Sequence, residues 1–230
     1  MIDFNEIYTQ AVVLFDDPDI KEAYDNNKIM FAKIMYPYLL SSYSNFQNPS
    51  IIGMQLSDMQ EPDGKQELFK ANGIDKKFIS EIPYKDNSLY CYYENGKRVN
   101  GTYDYNENIV EFENILSDGD YIFERYFPGC FNTNLNITNN TAWNKDIRSK
   151  TINILARLLL ISWANSKKNF LLDIQNILTD SDFNLHSASA ALNSKIKWIQ
   201  DLRSEVLAIE NRLGFIIRFS KSADWGKRNG

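Results

Sequence analysis

Histidine is almost missing from this chain, cysteine is scarce, and no apolar run is long. His186 is the only histidine in 230 residues and stands beside Ser187 and Ser189 with no nucleophile-elbow pattern around it. A Ser-His-Asp or Cys-His site would depend on it; a solvated cap residue is the simpler reading. Cys91 and Cys130 are the only cysteines, too few for a disulfide framework and without the paired ligand spacing of zinc. Two free thiols in a reducing compartment are expected. The ten glycines form no G-x-G-x-x-G or P-loop pattern, which excludes the common phosphate cradles. The apolar stretch Ile152–Trp163 is interrupted by Arg157 and falls far short of a membrane span. No basic-then-apolar leader follows Met1. The expectation is a soluble, cytoplasmically made protein that is not an enzyme, with no cofactor and no metal. In that setting the sequons at Asn136 and Asn139 carry no meaning.

The charge is concentrated. Net charge is −5, and the segment Tyr84–Tyr126 supplies all of it: Asp86, Glu94, Asp104, Glu107, Glu111, Glu113, Asp118, Asp120 and Glu124 stand against Lys85, Lys97, Arg98 and Arg125. The remainder balances. Acid at this density repels phosphate, so tight nucleic-acid binding is not expected.

The same segment reads as strands. From Ser88 to Pro128 apolar and polar residues alternate, and Asn95-Gly96, Asn100-Gly101 and Asp118-Gly119 are turn dipeptides. Leu89, Cys91 and Tyr93 share one face and Tyr90 and Tyr92 the other. Four strands are expected.

Helical periods flank it. Asp3–Phe15 reads as one helix, Asp17-Pro18-Asp19 as the start of a second, and Lys28–Phe46 as a third that Pro37 kinks or restarts. Glu67–Ala71 reads as a short helix stopped by Gly73. After Thr141 the helical period returns: Ile147, Ile154, Leu155, Leu158, Leu159 and Trp163 form a wide apolar face, with Leu160 and Ile161 implying burial nearly all round. A break near Asn165–Lys168 precedes a helix through Phe170–Leu178. Ser187–Leu213 reads as the longest helix, with Leu192, Ile199, Val206 and Leu213 at heptad spacing. Gly214 should end it, and Phe215–Phe219 reads as a final strand. The fold class is α+β, a helical body with an inserted small antiparallel sheet: residues 1–83 helical, 84–131 β, and 132–230 helical with a terminal strand and tail.

Two constellations suggest chemistry and fall short of it. Asp180-Ser181-Asp182-Phe183-Asn184 opens like a calcium loop, but Leu185 replaces the required glycine and Ala191 the bidentate Glu. Glu111, Glu113 and Glu124 resemble the carboxylates of glycoside hydrolysis without any accompanying groove pattern. Eight tyrosines between Tyr84 and Tyr126 leave three readings open: a protein interface, ordinary β structure, or a ligand-stacking surface.

The helical N-terminus, the run Tyr84–Phe131 with its Asn-Gly hairpin, and GDYIFERYFPG ahead of a helical C-terminal half resemble the structural proteins of tailed bacteriophage virions. More narrowly, they resemble the head–tail connector (neck, adaptor or collar) proteins. The stretch IVEFENILSDGDYIFERYFPGCF is similar to the β-insertions of that family, and the resemblance spans residues 84–225 as a pattern. It implies a virion protein that forms a homo-oligomeric ring, often of twelve copies, below the portal. Its neighbours would be portal and tail proteins, with no membrane involved. It also implies an acidic conduit through which DNA passes without sequence-specific binding. The interface or conduit candidates are then Tyr103, Tyr105, Glu111, Glu113, Asp118, Asp120, Glu124 and Tyr126 on the sheet, and Leu192, Ile199 and Val206 on the long helix. The competing reading is a cytoplasmic protein-binding or scaffolding module that grips one partner with the same sheet.

Overall fold

Asp3 starts the first helix as a capping box: its carboxylate accepts the Asn5 amide at 2.9 Å, and Glu6 accepts the Asp3 amide at 3.4 Å. Asn27 does the same work for the third helix, accepting the Met30 amide at 2.9 Å. The computed structural model describes the backbone of residues 1–15, 18–47, 54–94, 97–99, 101–112, 114–133, 142–178 and 186–228. In chain order its elements are β1 (Ile2–Asp3), α1 (Phe4–Leu14), α2 (Pro18–Asn26), α3 (Lys28–Asn45), β2 (Met59–Gln60), β3 (Asp63–Ala71) and β4 (Lys77–Ile79). There follow β5 (Leu89–Glu94), β6 (Lys97–Val99), β7 (Gly101–Asp104), β8 (Ile109–Phe112), β9 (Gly119–Phe127), β10 (Cys130–Phe131), α4 (Ala142–Leu178) and α5 (His186–Arg228). The α+β class is as expected.

α4 is the axis of the helical body, packing against α1, α3 and α5. Ile147, Ile154, Leu155, Leu158, Leu159, Leu160 and Ile161 are all buried, so the near-continuous apolar pattern reflects neighbours on several sides. α5 lays Ile199, Leu202, Val206 and Leu213 into that core, and Arg157 reaches Glu205 at 3.1 Å across the α4–α5 seam.

Two sheets make a separate aromatic core. One has the order β3-β9-β5-β6, the other β4-β8-β7, all antiparallel. Period-2 alternation turns Phe69, Tyr90, Tyr92, Tyr121 and Phe123 of the first sheet toward Phe78, Tyr103, Val110 and Phe112 of the second. Burying such rings supplies the main apolar stabilisation, and each well-placed ring pair adds about 0.5–1.5 kcal/mol beyond area. The other face of β5 and β9 puts Cys91 and Tyr126 into the helical core. A third small sheet, β1-β10-β2, clips the chain start to residues 59–60 and 130–131. Its approach to α1 requires glycine at 129: φ is +98°, and a Cβ there would lie 2.7 Å from the Phe4 ring and 2.8 Å from the Gln60 carbonyl oxygen.

Several expectations are corrected. Residues 67–71 are strand, since Glu67 pairs with Phe123 and Phe69 with Tyr121 along the full length of β3; cross-strand ring packing overrides good helix formers. The β unit therefore begins at Asp63, inside the region assigned to N-terminal helices, and the described residues of 88–127 carry five strands, not four. α3 runs unbroken through Pro37, so the proline does not restart it, α4 continues through Asn165–Lys168, and α5 through Gly214 and the whole of Phe215–Phe219. A helical glycine costs about 1 kcal/mol relative to alanine, too little by itself to end a helix whose preceding turns are packed into the core through Leu213. The Asn95-Gly96 dipeptide, Asn100, Asp180–Asn184 and both sequons lie outside the described residues.

Candidate interaction surface

The aromatic core is open at one end. Phe123 is buried at its centre, with Tyr90 and Tyr103 half-buried above it at ring distances of 5.9 and 5.5 Å. Tyr90 and Tyr103 stack on each other at 5.1 Å. Tyr84 lies nearly parallel to both, 6.2 and 6.3 Å away, and Tyr105 touches Tyr84 at 5.0 Å. Tyr84 is 41% and Tyr105 59% exposed. The result is a continuous stack of rings from core to solvent.

Polar contacts fix this end in place. Arg125, its side chain 3% exposed, donates to the Pro83 carbonyl oxygen at 3.2 Å and to Asp63 at 2.7 Å, pinning the residue before Tyr84. The Tyr90 hydroxyl donates to the Lys85 carbonyl oxygen at 3.3 Å. The Tyr103 hydroxyl lies 3.0 Å from the Ile82 carbonyl oxygen and 2.8 Å from Asn108 Oδ1. Asp104 closes an Asx turn by accepting the Asn106 amide at 2.9 Å, and Asn108 takes φ of +54°. Tyr105 is thereby held at the tip of a defined turn. Burial, then the Asp86 carboxylate, pushes the Tyr84 phenol above its ordinary value.

The cations beside the stack are already engaged. Lys85 sits 3.8 Å from the centre of the Phe127 ring and 3.7 Å from Asp63, and Arg125 faces inward. Asp86, Asp104 and Glu107 are exposed, so the rim is acidic.

The predicted interface residues scatter. Tyr103 and Tyr105 join the stack. Tyr126 is buried in the helical core, as are Ile199 and Val206, which contact α4 within the same chain; these three are not surface residues of the single chain. Glu124 is also turned inward, 5% exposed and held 2.7 Å from Lys33. Glu111 lies on the outer face of β8, 3.2 Å from Lys77, while Asp118 and Asp120 are exposed at the start of β9. Asp120 and Glu124 share one face of β9 but only Asp120 stays exposed, and Glu111 belongs to the second sheet. Glu113 and the Leu192 side chain lie outside the described residues. The sequence pattern singles out neither Lys33 nor Arg125, and includes Tyr84 only as one of the eight tyrosines. For Arg125 the signal was available: strand alternation sets it opposite Glu124, on the aromatic face.

Both cysteines are free and buried, and burial raises the Cys130 thiol. Among the described residues no group of three or more His, Cys, Asp and Glu gathers as a metal site, and no helix is long and apolar enough to cross a membrane. No protein-family model, curated protein or solved structure matches this chain.

Proposed function

We propose that the chain is a structural subunit of a homo-oligomeric ring in the head–tail connector of a tailed bacteriophage, joining portal to tail. The observation that carries this reading is the surface of α5. This helix has 43 residues, about 65 Å of length, and its inward residues meet α4. Leu207 and Phe215 keep 46% and 63% of their surface exposed, apolar area on α5 that the next subunit's helix would cover in a ring. The pattern resemblance of residues 84–225 supports the more specific identity. DNA passing the ring would meet the exposed Asp118 and Asp120 rather than Glu124, and would slide without sequence-specific contacts.

The second reading, a cytoplasmic scaffolding or protein-binding module, is favoured by the exposed Tyr84–Tyr105 end of the sheet unit, which would grip one partner without any ring. The genes beside the coding sequence separate the two readings. Flanking portal and capsid genes are expected for the connector; a setting with no virion genes contradicts it.

A further inference from the structure

We infer that the Tyr84–Tyr105 end of the aromatic stack is a docking site for an arginine-bearing segment of a partner protein. The site does not require the ring reading; it stands on its own geometry.

Three observations select that chemistry. The outermost rings are preorganised. Tyr84 lies at interplanar angles of 7° and 14° to Tyr90 and Tyr103, and its loop is tied down at Pro83 by Arg125. A partner would lose little entropy ordering it. The exposed groups are π faces beside carboxylates: Asp86 next to Tyr84, with Asp104 and Glu107 in the turn that carries Tyr105. The local cations, Lys85 and Arg125, are occupied by Asp63, Phe127 and the Pro83 carbonyl, so among the described residues these two basic groups do not neutralise the rim.

A planar guanidinium satisfies both features at once. It stacks on a tyrosine face while its edge donates paired hydrogen bonds to a carboxylate. Lysine supplies the charge without the flat stacking surface. A nucleobase would bring phosphate against three acids. A neutral sugar would use the rings but gain nothing from the carboxylates.

Calorimetric titration with a hexa-arginine peptide tests this, with hexa-lysine and a chito-oligosaccharide as comparators. Hexa-arginine should bind several-fold more tightly than hexa-lysine. Tyr84→Ala with Tyr105→Ala should weaken it by about tenfold, and Asp86→Asn with Glu107→Gln should also weaken it and flatten its salt dependence. Tyr84→Trp should retain binding, which separates loss of the platform from loss of the fold. The inference is overturned if hexa-arginine does not bind at millimolar concentration, if the tyrosine variant binds as the parent does, or if the two peptides bind equally, since the last two mean general attraction to an acidic surface. Binding of the sugar alone, lost with the same tyrosines, would also overturn it.

Discussion

Lys33 Nζ lies 2.7 Å from Glu124 Oε1, joining α3 to the central strand β9 across 91 residues of sequence. The Lys33 ammonium also sits 5.3 Å from the centre of the Tyr126 ring. Glu124 has only 6% of its side chain exposed, whereas Lys33 keeps 43%. The lysine therefore accommodates an acid that the fold has removed from water, and the sheet unit is attached to the helices partly by charge.

Lys33→Met should destabilise the protein by about 1–3 kcal/mol, because it leaves a carboxylate buried without its partner. The upper range for buried pairs is not reached because Lys33 is partly solvated. Lys33→Met with Glu124→Leu should be less costly than the sum of the two single changes. Urea unfolding of the four proteins measures this, and strict additivity would mean the contact has no energetic weight.

Gly129→Ala should cost more than about 2 kcal/mol. The backbone at φ of +98° disfavours any side chain, and the new methyl would meet Phe4 and the Gln60 carbonyl. The Phe4 amide donates to the Gly129 carbonyl oxygen at 3.0 Å, so the start of α1 should loosen as well. Amide hydrogen exchange at Phe4 and Asn5 reports that loosening, and unchanged protection would count against the packing described.

Glu210 predicts a pH effect of definite sign. It is 3% exposed and accepts the Gln47 amide at 3.1 Å, and burial raises its carboxyl above the ordinary 4.5. A raised folded-state pKa favours the protonated fold. The associated stability is fully present below the unfolded value and is lost as pH rises through the folded one. Glu210→Gln keeps an acceptor for Gln47 and removes the titration. The variant should gain stability relative to the parent as pH rises from 4 to 7, as followed by thermal melts. A difference independent of pH would show that Glu210 is not titrating in this window.

The legible parts of the fold were those set by neighbours in sequence. Asp3 and Glu6 announce the α1 cap, and the alternation through Tyr90, Tyr92, Phe123 and Arg125 announces strands. What stayed hidden depends on distant partners. Residues 66–71 are good helix formers that became strand because β9 runs beside them. Phe215–Phe219 has apolar and β-branched residues compatible with either period. Glu124 looked like a surface acid because nothing near it in sequence reveals Lys33. The tyrosine-rich run suggested an interface, but only the three-dimensional stack singles out Tyr84 and Tyr105 as its open end.

Phe215→Ala should cost the isolated chain no more than about 1 kcal/mol, since the residue is 63% exposed. If α5 forms the contact between subunits, the same change should impair assembly. Thermal melts with sedimentation at high protein concentration distinguish the two effects. Unimpaired assembly would remove Phe215 from the proposed interface.

The ring itself is tested most directly by native mass spectrometry and electron cryomicroscopy of the chain combined with the portal of the phage that encodes it. A closed ring with a fixed number of copies is expected, in which α5 of each subunit lies against its neighbour. A single copy bound per portal, or a chain that stays monomeric in the portal's presence, would contradict it.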